Sequence, residues 1–406
     1  MLRHGWVAAT MLRMLAGLLF TYSLVAVVFS VNALRSNPNP RSRFPALWLP
    51  AMLISEVSPV VLVFRLIVGG LAWWGGLWDQ PVGRIGLGVL AVSIGLLSVI
   101  AVRDWWATRV IERQVPEPYR LTGSWLDRFR RDHESLPPGV KLISEVEYAE
   151  GLTVDVFAPD DASVARPCVV YVHGGGWTGG APHSQGVPLF HHLAQRGWVV
   201  CAIRYPLAPA ASFLDQAIAV RRSIVWARAE GREFGIDPGR IALVGGSAGA
   251  HLASVAGLVD DPRLRRGFDE ADASVAAIVS LYGIFDFVNR NLTRPDWRVI
   301  PVAVMKATPA EEPELYRLAS PIDHVRQEMP PMLVVHGSID SLVPPQESRA
   351  FVEAAERVGG RVEYFEVPGA QHAFDAVNSP RTRAVVGVVT RFLEVTVGSP
   401  TPDLRG

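Results

Sequence analysis

Residues Ile241 to Gly257 read IALVGGSAGAHLASVAG. An apolar, strand-like run (Ile241 to Val244) enters two glycines and then Ser247, after which Ala248 and Gly249 open a helical pattern of small and apolar residues. This is G-x-S-x-G set between a strand and a helix, the context in which a sharp turn exposes a serine Oγ above the carboxyl edge of a parallel sheet. Gly245 and Gly249 are the positions at which strand and helix must approach each other. A glycine-rich loop with an ordinary serine would carry the same pentapeptide, so the reading depends on what accompanies it.

Upstream, VYVHGGGWTGG (Val170 to Gly180) puts His173-Gly174-Gly175-Gly176-Trp177 directly after a strand. Acyl transfer develops negative charge on a carbonyl oxygen, and preorganised backbone N–H groups stabilise it. The expected donors are the amides of Gly175 and Gly176, with that of Ala248 as the third. Downstream, MLVVHGSIDSLVPP (Met332 to Pro345) ends a strand in a loop carrying Asp340, and VEYFEVPGAQHAF (Val362 to Phe374) ends another in a loop carrying His372. A serine hydroxyl is a poor nucleophile at neutral pH. His372 is therefore expected to take its proton and Asp340 to orient the imidazole. Of the other candidates, His251 rides on the helix after Ser247 and reads as a packing residue. His336 lies in a strand end and reads as structural, and His173 as an organiser of the glycine loop. Asp286 and Asp375 are the alternative acids. No cluster has metal-ligand spacing and no nucleotide fingerprint is present, so neither a metal nor a cofactor is expected.

The chain has 406 residues, 49% of them hydrophobic, with zero formal net charge. The apolar excess is concentrated near the N-terminus. Met14 to Leu34 is free of charge and long enough to cross roughly 30 Å of hydrocarbon. Ile85 to Val102 is a second such run, closed by Arg103, Trp105 and Trp106. A third span is expected over roughly 46–76, broken near Pro59, with Glu56 and Arg65 turned toward other helices or the interface. Residues 1–105 thus read as an all-α transmembrane region of about three spans. Arg35, Arg41, Arg43, Arg103, Arg109 and Arg113 then share one side, which the positive-inside rule makes cytoplasmic together with the C-terminal domain. Lysine occurs only at 141 and 306, and no basic block suggests nucleic acid. Cys168 and Cys201 fall in core-like runs and read as buried free thiols.

Residues 106–140 read as a linker with an amphipathic helix over Thr122 to Glu134. From about 141 to 397, strands alternate with helices, which implies a mostly parallel sheet covered on both faces. Strands are expected at Thr153–Ala158, Cys168–His173, Trp198–Arg204, Ile241–Val244, Ala276–Leu281, Met332–His336 and Val362–Val367. Residues 286–329 interrupt the alternation as a cap insertion, and 398–406 form a tail.

HGGGW, GGSAG, HGSIDSLVP and GAQHAF, together with RYPLAP (Arg204 to Pro209) and ASPID (Ala319 to Asp323), resemble the α/β-hydrolase superfamily, specifically the hormone-sensitive-lipase-like esterases with a GGGX-type oxyanion hole. The resemblance covers roughly residues 145–397. It implies an α/β-hydrolase fold and hydrolysis of carboxylic esters of short to medium acyl chains, through an acyl-enzyme on Ser247. One departure stands out: that group usually has an acidic residue before the nucleophile, where this chain has Gly246. Related carboxylesterases and formamidases vary there. A membrane anchor invites a lipid ester as substrate and membrane lipid as partner. An arylformamidase-like amidase is the alternative activity, and a non-catalytic hydrolase-fold scaffold the alternative of another class. Oligomeric state, acyl length and alcohol moiety are left open by the residues.

Overall fold

The computed structural model describes residues 2–34, 48–121, 136–268, 270–294 and 299–399. The expected amphipathic stretch at Thr122 to Glu134 lies outside the described residues, as do Arg35, Arg41 and Arg43.

The N-terminal third is helical: α1 (Leu2–Leu34), α2 (Trp48–Glu56), α3 (Ser58–Trp74) and α4 (Pro81–Gln114). The stretch Ala9–Leu34 of α1 and the whole of α4 are long and apolar enough to cross a bilayer. The middle pair is bent by 86° and makes a third span only if α2 and α3 count as one. The bend falls at Val57, two residues before Pro59, whose ring removes an N–H from the first turn of α3 and disfavours continuous helix before it. Where α1 and α4 meet they bury Ala16, Leu19 and Leu90, whereas Leu18, Val92 and Val99 remain exposed. Apolar side chains facing outward are what a helix in lipid presents. Arg65 turns inward, its guanidinium donating to Ser30 Oγ at 2.7 Å and to the Ser93 carbonyl at 3.0 Å. Helix α4 does not stop at residue 105 but continues to Gln114.

The remainder is built on one eight-stranded sheet. In chain order its elements are β1 (Val140–Ala149), β2 (Leu152–Pro159), β3 (Arg166–Val172), α5 (Val187–Gln195), β4 (Val199–Ile203), α6 (Phe213–Ala229), β5 (Ile236–Gly246), α7 (Ala248–Leu258), β6 (Ala277–Leu281), α8 (Val299–Met305), α9 (Pro313–Leu318), β7 (Met332–Gly337), α10 (Gln346–Arg357), β8 (Val362–Val367) and α11 (Pro380–Val397). The spatial order is β1-β2-β4-β3-β5-β6-β7-β8. Strand β2 is antiparallel to both β1 and β4, and all other neighbours are parallel. Strand β1 is not among the strands expected from the sequence. Much of it is only partly buried, so it lacks the apolar run by which the central strands announce themselves.

Both faces of the sheet are covered. Along β3, Cys168, Val170 and Val172 pack into one core while Val169 and Tyr171 pack into the other, the alternation a pleated strand imposes. Cys168 and Cys201 are free and buried with their sulfurs 3.7 Å apart, and burial pushes the Cys168 thiol well up. The chain progresses one way from β3 to β4 and the other way from β5 onward. Where that progression reverses, the carboxyl ends of adjacent strands diverge and leave a crevice. The glycine loop leaves β3 and Ser247 leaves β5, at that point.

Candidate active site

Ser247 has φ 55° and ψ −119°, backbone geometry that a side chain rarely adopts and that turns its Oγ out of the sheet. The turn holds because its neighbours lack side chains. A β-carbon on Gly249 would stand 2.0 Å from the Val172 carbonyl oxygen, and one on Gly245 would stand 2.4 Å from that of Gly249. The Ser247 amide donates to the Leu281 carbonyl at 2.9 Å, which ties the elbow to β6.

Three residues from distant parts of the chain meet here. The Nε2 of His372 lies 2.8 Å from Ser247 Oγ, and its Nδ1 lies 2.6 Å from Asp340 Oδ2. The tautomer consistent with both contacts carries the proton on Nδ1, so that the hydroxyl donates to Nε2. Asp340 is fully buried, and its Oδ1 accepts from the amides of Leu342 at 2.9 Å and Val343 at 2.8 Å. Burial alone would raise its carboxyl, but the imidazoles of His372 and His336 outweigh burial and bring it down to about 2.

The glycine loop is anchored by Trp177 and by the segment after β4. Trp177 is buried, its indole N–H donates to His251 Nδ1 at 3.1 Å, and its carbonyl accepts from Gln216 at 2.8 Å. Tyr205, from the RYPLAP segment, donates its hydroxyl to the His173 carbonyl at 2.9 Å. Gly175 (φ 129°) and Gly176 (φ 62°) adopt left-handed backbone. The Gly174 amide is taken by Gln185 Oε1 at 3.1 Å, whereas among the described residues no acceptor is bonded to the amides of Gly175 and Gly176. Ala248 opens α7, so its amide has no partner within the helix. Among the described residues, the amides of Gly175, Gly176 and Ala248 are thus all without a bonded acceptor.

The other candidates stand apart from the proton path. His251 is buried against Phe213 and Phe287, donates Nε2–H to the Ala319 carbonyl at 2.7 Å, and is brought down to about 3 by burial. His173 stacks on Tyr205 with ring centroids 4.4 Å apart. Asp286 pairs with Arg290. Asp375 accepts from the Tyr282 hydroxyl, and burial raises its carboxyl to about 6. Among the described residues, no group of three metal-ligating side chains occurs.

Several neighbours carry no motif and escape a reading of the sequence. Tyr282 follows β6 and meets the His372 ring edge-on at 4.7 Å, and Trp48 of α2 meets it edge-on at 5.7 Å. His336, read as structural, contacts Asp340 Oδ2 at 3.2 Å while its Nε2 also lies 2.8 Å from the Val343 carbonyl.

Comparison with known proteins agrees with this fold. The family model BD-FAE matches residues 154–355. The probable carboxylic ester hydrolase LipM of Mycobacterium tuberculosis is 33% identical over 397 residues, covering 91% of each chain. Esterase LipQ of the same organism is 36% identical over 263 residues, 63% of this chain and 62% of that one. Esterase 2 of Thermogutta terrifontis, solved with butyrate bound, superposes with a TM-score of 0.55 at 25% identity over 68% of this chain and 99% of that one. The same esterase phosphonylated by sarin superposes with a TM-score of 0.56 at 25% identity over 67% and 100%. The LipM match, covering 91% of this chain, is too long to be confined to the sheet domain, and the fold and motifs are those of the α/β-hydrolases. The chain accordingly belongs to the hormone-sensitive-lipase-like carboxylic ester hydrolases, and it is a serine hydrolase acting on carboxylic ester bonds.

Proposed function

We propose that the protein is a membrane-anchored carboxylesterase in which Ser247 is the nucleophile, His372 the general acid–base and Asp340 the orienting acid, with the amides of Gly175, Gly176 and Ala248 as the oxyanion hole. The observation that carries this is the unbroken hydrogen-bond relay from Ser247 Oγ through His372 to Asp340. In acylation, His372 Nε2 accepts the hydroxyl proton as Oγ attacks the carbonyl carbon. The oxyanion forms toward the three amides, and His372 then delivers the proton to the departing alcohol. Water repeats the sequence on the acyl-enzyme. Asp340 stays ionised throughout and stabilises the imidazolium.

In this arrangement residues 1–105 form the membrane region, 106–140 a linker, 141–397 the catalytic domain with a cap at 286–329, and 398–406 a tail. The catalytic domain is assigned to the cytoplasmic side. The substrates are esters of short to medium acyl chains, including lipid esters held in the bilayer. The butyrate on the Thermogutta esterase supports the acyl length. The two bilayer-length helices and the contact of Trp48 with His372 support delivery at the membrane.

Labelling with a fluorophosphonate on intact and permeabilised cells tests the nucleophile and the orientation together. The wild type should label only after permeabilisation, and Ser247→Ala should not label at all. Labelling of Ser247→Ala refutes the nucleophile, and labelling of intact cells reverses the orientation.

A further inference from the structure

The loop carrying His372 is gripped by the apolar helices and by Arg381 of α11. The Gly369 carbonyl, three residues before the imidazole, lies 3.5 Å from both Arg103 Nη2 on α4 and Ser55 Oγ on α2. The Pro368 carbonyl accepts from Arg381 Nη1 at 3.2 Å. Those two guanidiniums are in turn held by carboxylates from the apolar helices. Arg103 Nε donates to Asp104 at 3.0 Å, Arg381 Nη1 donates to Asp104 at 3.2 Å, and Arg381 Nε donates to Glu56 at 3.1 Å. Ser379, at the start of α11, donates to Glu56 at 2.6 Å. Glu56, Asp104 and Arg381 are all buried. Two cations thus meet two anions, and the cluster is satisfied without any group from outside the chain. Above it, the imidazole sits between Tyr282 from the sheet and Trp48 from the helical bundle.

A four-charge cluster with three members buried and Arg103 half-buried is a poor way to gain stability, because desolvating the ions offsets their attraction. What it confers is a fixed geometry, since planar guanidiniums bond carboxylates and carbonyls in only a few orientations. Here that geometry is imposed on the backbone leading to His372.

We propose that the apolar bundle is a working part of the active site: Arg103 and Arg381, braced by Glu56 and Asp104, position the histidine loop, and Trp48 fixes the imidazole ring from the membrane side. These are positioning residues, and the proposal rests on the reading of His372 as the general base. The consequence is that turnover depends on how the helices sit in the bilayer, although no helix carries a reacting group.

The test uses the full chain in bilayer nanodiscs, with active sites counted by fluorophosphonate so that turnover is expressed per reactive serine. For Arg103→Met, kcat on p-nitrophenyl butyrate should fall about tenfold or more with KM nearly unchanged, as displaced catalytic groups cost rate rather than binding. Arg103→Lys should recover part of the rate by restoring one bond to Gly369. Trp48→Ala, outside the charge cluster, should also lower kcat while leaving the melting temperature close to wild type, and it carries the test if Arg103→Met does not fold. Wild-type turnover per titrated serine in the variants that fold, with only a lower melting temperature, would make the bundle a passive scaffold and overturn the proposal. Failure of the catalytic reading appears differently, as labelling that survives Ser247→Ala.

Discussion

The Tyr282 hydroxyl lies 2.9 Å from where a β-carbon on Gly246 would stand. That relationship accounts for the one departure of this chain from its family's pattern. Where related esterases have an acid before the nucleophile, this protein fills the space from the neighbouring strand end with a tyrosine hydroxyl, itself bonded to Asp375.

Restoring the acid should therefore harm the enzyme. Gly246→Asp must displace Tyr282 or the elbow, at a cost of about 1–3 kcal/mol for overpacking, before the charge is considered. A lower melting temperature and a reduced kcat are the expected outcome. Relief by the second change Tyr282→Ala would confirm the steric cause, whereas a fully active single variant would contradict it.

The acid of the relay has its own signature. Asp340→Asn removes the charge facing Nδ1 and favours the wrong tautomer, so kcat should fall by about four orders of magnitude with the fold intact. Circular dichroism checks the fold and p-nitrophenyl ester hydrolysis the rate. A near-normal rate would move the role to another carboxylate.

Stability should respond to pH through two carboxyls of opposite sign. Asp375 is raised from 3.8 to about 6. Its folded form holds a proton that the unfolded chain releases, so its contribution is fully present below pH 3.8 and is lost as pH rises through about 6. The shift corresponds to roughly 3 kcal/mol. Asp340, held at about 2, contributes above its ordinary value of 3.8, and that contribution is lost as pH falls toward 2. Melting curves from pH 4 to 8 should show Asp375→Asn gaining on wild type as pH rises. A constant difference between the two would rule out titration of Asp375 as the source.

The central strands were legible because each is buried on both faces and so forms a continuous apolar run bounded by turn residues. The expected ends of the central strands β3, β6 and β7 fall within a residue or two of the observed ones. Strand β1 was missed because it is only partly buried and Lys141, Glu145 and Glu147 break up its apolar residues, so no continuous run marks it. The break in the middle apolar segment was signalled by Pro59, since a proline acts on the backbone locally, but its 86° angle was not.

Ser247, the glycine loop, Asp340 and His372 stand out in the sequence because local chemistry demands them there. A tight elbow requires glycines, donor amides require left-handed backbone, and proton transfer requires an imidazole and an acid at strand ends. By itself, then, the amino-acid order determined an apolar N-terminal region, a parallel sheet and the residue types of the relay. Only the tertiary structure decided that Tyr282 and Trp48 flank the imidazole, and that Glu56 and Asp104 of the apolar helices brace Arg381 and Arg103 beneath the histidine loop. Most of these contacts join residues far apart in the chain, Glu56 to Arg381, Asp104 to Arg381 and Trp48 to His372 among them, through packing alone. No local periodicity or spacing records them, because the free energy that selects them belongs to the assembled core.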